Sequence, residues 1–238
     1  MKPIILLALI VVFSGNAQAQ DRMPPIPPEK MTDAQKKAVA DYKSLRSTDL
    51  TGPPWTVLLR VPDLVVPSLQ LRLHNQQNSA LSPKLTEMAI LIAARHLTNS
   101  FEFNAHHTLA VKAGLSADVI AAVAEGRRPE RMTDDEAILH DFCVELLQNK
   151  AVSDGTYARA LGKFGEAGVV EAASLQGYYT FLAMVMNVAR SPSPANATQK
   201  LKQLFFDQKL AAPYSFPPKR KGPTERRPFV RLFRRIRT

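Results

Sequence analysis

Between residues 82 and 126 the chain has room for three helices and almost nothing else. Ser82 carries N-cap chemistry, since its hydroxyl can accept a hydrogen bond from an amide of the first turn. Pro83 suits the first helical position, where its missing N–H costs nothing. Leu85, Met88, Ala89 and Ile92 then recur at helical spacing, a pattern that runs to about Leu97. A second helix begins at Asn99 or Ser100 and stops at Gly114, and a third is capped by Ser116 and stops at Gly126. A connection as short as residues 98–100 folds the first two antiparallel.

The flanks repeat the pattern. Thr32 and Asp33 open a short helix to about Leu45, followed by a turn-rich stretch around Gly52, Pro53, Pro54 and Trp55. Pro62 and Pro67 punctuate the way into a helix ending near Asn78. Thr133 and Glu136 form a capping box for a helix over 136–148. Ser153 and Asp154 open another to Phe164, and 169–189 reads as a long apolar helix. Glu171, Gln176 and Asn187 interrupt it, so it is a buried helix and not a membrane span. A last helix is expected over 197–208. No strand or hairpin signal and no repeat at a solenoid period emerge. With 45% apolar and 22% charged residues and only 10 glycines, the reading is an all-α, single-domain helical bundle.

The two ends have their own composition. Lys2, the uncharged apolar run 4–13 and Ala17-Gln18-Ala19 read as a signal peptide over 1–19, too short to span a bilayer core. This places the protein in the periplasm or outside the cell. A stiff Pro-rich linker at 23–28 follows, within a segment 20–51 that also holds the first helix. Residues 52–192 form the main helical domain, 193–218 a closing helix and linker, and 219–238 a basic tail. The tail has nine Lys or Arg residues against Glu225 alone, so it carries +8 of the formal +10. Phe229, Leu232 and Phe233 lie among its arginines, which suits contact with an anionic membrane as well as a solubilising tail. The body is close to neutral, so no nucleic-acid partner is expected. Cys143 is the single cysteine, which excludes an internal disulfide or dithiol, and its helical setting makes it a core hydrophobe.

The one plausible chemical site lies in the segment 99–107. Glu102 and His106 are four apart and share a helix face. Glu87 sits on the preceding helix about two and a half turns before the corner, and His106 about a turn and a half beyond it. Side chains of both helices can therefore converge. A carboxylate–imidazole–carboxylate cluster moves protons near neutral pH, because histidine titrates there and a carboxylate fixes its tautomer. The same residues allow other readings: Asn99 and Glu102 match a capping box, and Glu87 could pair with Lys84 or Arg95. The two carboxylates and one imidazole could also ligate a divalent ion, a reading that no second ligand motif supports. His107 points about 100° away from His106 around the helix. His74, His96 and His140 have no evident partners.

Pro83, Glu87-Met-Ala-Ile-Leu91, Asn99-Ser-Phe-Glu102, His106 and Ala113-Gly-Leu-Ser116 together resemble the carboxymuconolactone decarboxylase family of the alkylhydroperoxidase D-like superfamily. The likeness covers roughly 52–192, including Pro54-Trp55, Pro62 and Gly177-Tyr-Tyr179. It implies an alkylhydroperoxidase D-like bundle that assembles as a homo-oligomer, trimer or hexamer. The peroxidase branch has a glutamate, two cysteines and a histidine at the positions of Glu87, Asn99, Glu102 and His106. Both sulfurs are missing here, so a dithiol–disulfide cycle is not expected. The Asn/Glu version resembles the decarboxylase branch, which acts on a small carboxylated lactone without a cofactor. It implies His106 as proton shuttle, Glu102 as orienting or accepting group and Glu87 as the group that holds His106. Asn99 and His107 are expected to bind substrate, a small organic acid or lactone. Two alternatives stand beside this: a peroxidase activity by superfamily alone, and a non-catalytic periplasmic assembly or membrane-associated protein.

Overall fold

A computed structural model of the chain describes residues 21–193 and, beyond them, Ala197, Gln199, Leu201 and Lys202. The expected signal peptide over 1–19 and basic tail over 219–238 lie outside the described residues.

Eight α-helices and no strand occur among the described residues. They are α1 (Asp33–Arg46), α2 (Trp55–Leu58), α3 (Val65–Gln77), α4 (Pro83–His96), α5 (Ser100–Lys112), α6 (Ala117–Glu125), α7 (Asp134–Asn149) and α8 (Asp154–Ala189). The all-α reading holds. The sequence caps act as expected: the Ser82, Asn99, Ser116 and Ser153 side chains each accept from an amide of the first turn of their helices. Thr133 N donates to Glu136 Oε2 at the start of α7. Gly126, at φ 75°, closes α6 in the left-handed conformation that glycine adopts without strain.

Helix α4 is the axis of the bundle. Every residue from Leu85 to Arg95 is buried, because α4 packs against α3, α5, α6, α7 and α8. A helix enclosed on all sides has no polar face to spare, and its Met88, Ile90 and Leu91 are fully buried accordingly. The apolar stretch expected at 169–189 forms the second half of α8. Gly165 breaks α8 with φ 68° and ψ 178°, a region that essentially only glycine occupies. The break falls between the two helices read from the sequence. No described helix is long and apolar enough to cross a membrane.

Three elements differ from the sequence reading. The turn-rich stretch at Trp55 is itself a short helix, α2, with Trp55, Val57 and Leu58 buried. Helix α1, expected as an N-terminal helix ahead of the main helical domain at 52–192, belongs to the bundle: it packs on α3, and Tyr42 and Ala38 lie in the core. Of the last helix expected over 197–208, Ala197, Gln199, Leu201 and Lys202 are not helical, and the rest lies outside the described residues. Instead, Gln199 exchanges two hydrogen bonds with the Asn104 side chain of α5, which commits that backbone to α5 and not to a helical ladder.

The α4–α5 corner fixes the site. Thr98 N donates to Arg95 O and Asn99 N to Ala94 O, which reverses the chain directly after α4. Thr98 adopts φ 49° to do so, a costly conformation for a β-branched residue. Thr98→Gly should therefore stabilise the protein by about 1 kcal/mol and raise Tm by roughly 2–4 °C. A thermal melt with unchanged or lower Tm would show that the corner is not strained.

Candidate functional site

The antiparallel α4–α5 pair brings Glu87, Glu102 and His106 together. His106 Nδ1 lies 2.6 Å from Glu87 Oε2, and its Nε2 lies 3.2 Å from Glu102 Oε1. All three side chains are at least nine-tenths buried. Glu87 accepts from Nδ1 and the Glu102 carboxylate lies against Nε2, an arrangement that favours a proton on both ring nitrogens. Burial of the ring opposes that charge, but the hydrogen bonds and charges of Glu102 and Glu87 outweigh it and raise the His106 pKa to about 9. At neutral pH the cluster is an imidazolium between two carboxylates. The Tyr179 ring packs edge-on against the imidazole, with centroids 5.2 Å apart, and fixes its tilt.

The alternative readings of these residues resolve on geometry. Glu87 does not pair with Lys84, whose Nζ lies 2.8 Å from Glu136 Oε1, nor with Arg95. Asn99 caps α5, but Glu102 does not complete a capping box. Asn99 N is taken by Ala94 O, which leaves the Glu102 carboxylate for His106. The two carboxylates sit on opposite nitrogens of one ring, so they do not converge on a common ion. Among the described residues, no group of three or more His, Cys, Asp or Glu side chains is placed to hold a metal.

The two expected substrate-binding residues stand apart from the cluster. Asn99 is buried, and each of its polar atoms is engaged. Its Oδ1 accepts from Glu102 N, and its Nδ2 donates to Ala183 O and Asn187 Oδ1 on α8. It is a staple between α5 and α8. His107 is half-buried, on another side of α5, with no hydrogen bond among the described residues. His74 does have a partner, Glu171 Oε1 at 3.1 Å, and His140 Nδ1 lies 3.3 Å from Asp141 Oδ1. Cys143 is fully buried, and its Sγ accepts from Gln176 Nε2. Burial pushes its thiol pKa far up, away from reactivity.

The cluster separates two clefts. On the Glu102 side is a cleft of about 270 Å³, bounded by α1, α2, α3 and α5, which Glu102 and His106 both line. Its walls include Tyr42, Trp55 and Phe101, and it holds Arg46 and Arg72. Arg46 lies 6.0 Å from the Tyr42 ring centroid and Arg72 5.9 Å from that of Trp55. Neither makes an ion pair with an acid among the described residues, so both charges are free for an anion. On the Glu87 side is a cleft of about 290 Å³ that includes Asn75 and Thr86, both buried, with side-chain polar atoms lacking partners among the described residues. Polar, roomy pockets of this kind hold water.

Arg46 and Arg72 escaped the sequence reading because nothing local marks them. They lie on α1 and α3 and share a cleft with Glu102 only through tertiary packing. Trp55 was legible as a motif residue but not as the platform of Arg72. No family model matches this chain, and no curated protein matches it.

The raised His106 pKa has a direct consequence for stability. A group whose folded pKa exceeds the unfolded value of 6.5 stabilises the fold fully below that pH and loses its contribution as pH rises through about 9. Thermal melts should therefore show stability falling between pH 6.5 and 9, by at most about 3 kcal/mol. The His106→Gln variant should lack this slope. An equal slope in both proteins would remove His106 as its source.

Proposed function

We propose that the chain is an exported, alkylhydroperoxidase D-like protein of the carboxymuconolactone decarboxylase type, acting on a small carboxylated lactone or related organic acid by Glu/His proton relay. One observation carries this reading: a charged His106 is clamped between two buried carboxylates, one of which faces a cleft holding two free arginines. The likeness of the Glu87, Asn99, Glu102 and His106 spacing to that family supports it independently. The exposed apolar residues Val170, Phe181, Met184 and Val188 on α8 support a homo-oligomer.

In this mechanism Arg46 and Arg72 receive the substrate carboxylates or lactone oxygens. The carbon–carbon bond to the departing carboxylate breaks, carbon dioxide leaves, and the electron pair spreads into the lactone as a dienolate. The arginines stabilise the charge that develops on oxygen. Glu102 takes the proton from His106 Nε2 and delivers it to the carbanionic carbon. Glu87 holds the ring through Nδ1 in the tautomer that leaves Nε2 free, and after carbon dioxide and product leave, water in the Glu102 cleft returns a proton through Glu102 to Nε2. No thiol takes part. The positions that hold cysteines in the peroxidase branch are Asn99 and Glu102, and Cys143 is buried away from the site, so peroxide reduction by a dithiol cycle is not supported.

The test is carbon dioxide release from carboxymuconolactone and related lactone acids by the purified protein. His106→Gln and Glu102→Gln should lower kcat by about 10²–10⁴-fold. Arg72→Met should lower kcat and raise KM together, because it removes both ground-state anchoring and stabilisation of the developing charge. Equal turnover in wild type and the two relay variants would remove the relay. Absence of turnover in wild type would favour a non-catalytic assembly role.

A further inference from the structure

The C-terminal end of α4 carries a second ionic feature that the relay does not use. Arg95 is 3% exposed, and its Nε, Nη1 and Nη2 are all buried without a hydrogen-bond partner among the described residues. An isolated buried cation is among the costliest arrangements a fold can hold. A guanidinium does not escape by losing its proton. Burial lowers the Arg95 pKa, with no acid acting in the opposite direction.

Arg95 lines a cleft of about 410 Å³ formed by α4, α6, α7 and the start of the α6–α7 loop. The acids around it are already engaged. Asp141 accepts from Arg128 Nε and Nη2 at 3.0 and 3.3 Å, and Glu145 Oε1 accepts from Ser153 N at 2.7 Å. Arg127 and Arg128 at the edge are paired with Glu125 and Asp141, which leaves Arg95 as the cation without a partner, and Ile92, Val123, Val144 and Leu147 supply apolar wall. The cleft therefore combines one uncompensated buried cation with an apolar surface much larger than a simple ion requires. It is distinct from the relay: Arg95 lies about 12 Å along α4 from Glu87, and the two clefts share no lining residue with this one.

We propose that this cleft binds an amphiphilic organic acid, its carboxylate paired with Arg95 and its apolar body lying against Ile92, Val123, Val144 and Leu147. The carboxylate supplies the charge that the fold omits, and the apolar walls select against a bare inorganic anion. The site stands whether or not the relay is catalytic.

Calorimetric titration of the full chain with octanoate, 1-octanol and inorganic phosphate tests this. Octanoate should bind wild type at least tenfold more tightly than either octanol or phosphate. Arg95→Met should weaken octanoate at least tenfold and leave octanol unchanged. Arg72→Met, which disarms the other cleft, should retain the tight octanoate site. In ligand-free buffer Arg95→Met should melt at or above the wild-type temperature, because it removes an unpaired buried charge. Saturating octanoate should raise Tm by about 5 °C in wild type and Arg72→Met, and not in Arg95→Met. Equal affinity of wild type for octanoate and octanol would overturn the proposal even if Arg95→Met failed to fold. So would loss of octanoate binding in Arg72→Met with retention in Arg95→Met, or phosphate binding as tight as octanoate.

Discussion

A protonated imidazole held between two carboxylates inside an apolar bundle constrains everything around it. Three charged groups out of water are tolerable only if their geometry is fixed, because each carboxylate regains what it loses in solvation from the imidazolium alone, and the imidazolium from both. That requirement falls on the α4–α5 corner. Glu87 comes from the middle of a helix enclosed on all sides, so its backbone has nowhere to move. Asn99 then sets the start of α5 with every polar atom committed, to α5 itself and to α8. Asn187 answers from α8 by donating to Leu97 O on the corner. The strained Thr98 conformation is the local cost of bringing Glu102 and His106 to the level of Glu87.

The fold and the site were legible in the sequence to different depths. Helix ends were visible because capping is chemistry within four residues: Ser82, Asn99, Ser116, Gly126 and Ser153 all act where the pattern put them. The Glu102–His106 pair was visible for the same reason, being one helical turn. Glu87 could be joined to it only because the connection between the two helices is so short. Longer-range features left no such trace. Whether Glu87 met Lys84, Arg95 or His106 depended on rotation of α4 against its neighbours, which spacing does not give. The partner of Lys84 turned out to be Glu136 of α7. Asn99 and His107 were expected at the substrate because they adjoin the relay in sequence, yet Asn99 is spent on α8 and His107 points elsewhere. The arginines that share the cleft with Glu102 come from α1 and α3, whose placement around that cleft no local pattern signals.

The same helix treats two charges in opposite ways. Glu87 is buried with a counter-charge supplied by its own chain, whereas Arg95, two turns further on, is buried with none. A pair formed between them would have been the inexpensive solution, but eight residues of α-helix place them about 12 Å apart along the axis. Packing of α7 and α6 around the end of α4 then closes over Arg95 without delivering an acid, since Asp141 is held by Arg128 and Glu145 by Ser153. The fold thus balances its charge locally around the relay and leaves it unbalanced at the other end of α4.

Charge balance also decides what the relay cleft can accept. With His106 protonated, the relay carries one net negative charge, and Glu102 presents part of it to the cleft. Alone, that would repel a carboxylate substrate and favour a neutral or cationic one. Asp49, on the same wall, would add to the repulsion, but its Oδ1 lies 2.9 Å from Lys43 Nζ. Arg46 and Arg72 then outweigh the relay, and because each rests over an aromatic ring and pairs with no acid, their charge is not cancelled within the protein. In the proposed mechanism Glu102 is the proton donor at the negative end of the cleft, and Arg46 and Arg72 are the anion anchor at the positive end. That polarity suits a reaction in which a carboxylated substrate accumulates negative charge and is then protonated on carbon. An arrangement built for peroxide would instead need a polarisable thiolate at Asn99 or Glu102, and neither side chain can serve as one.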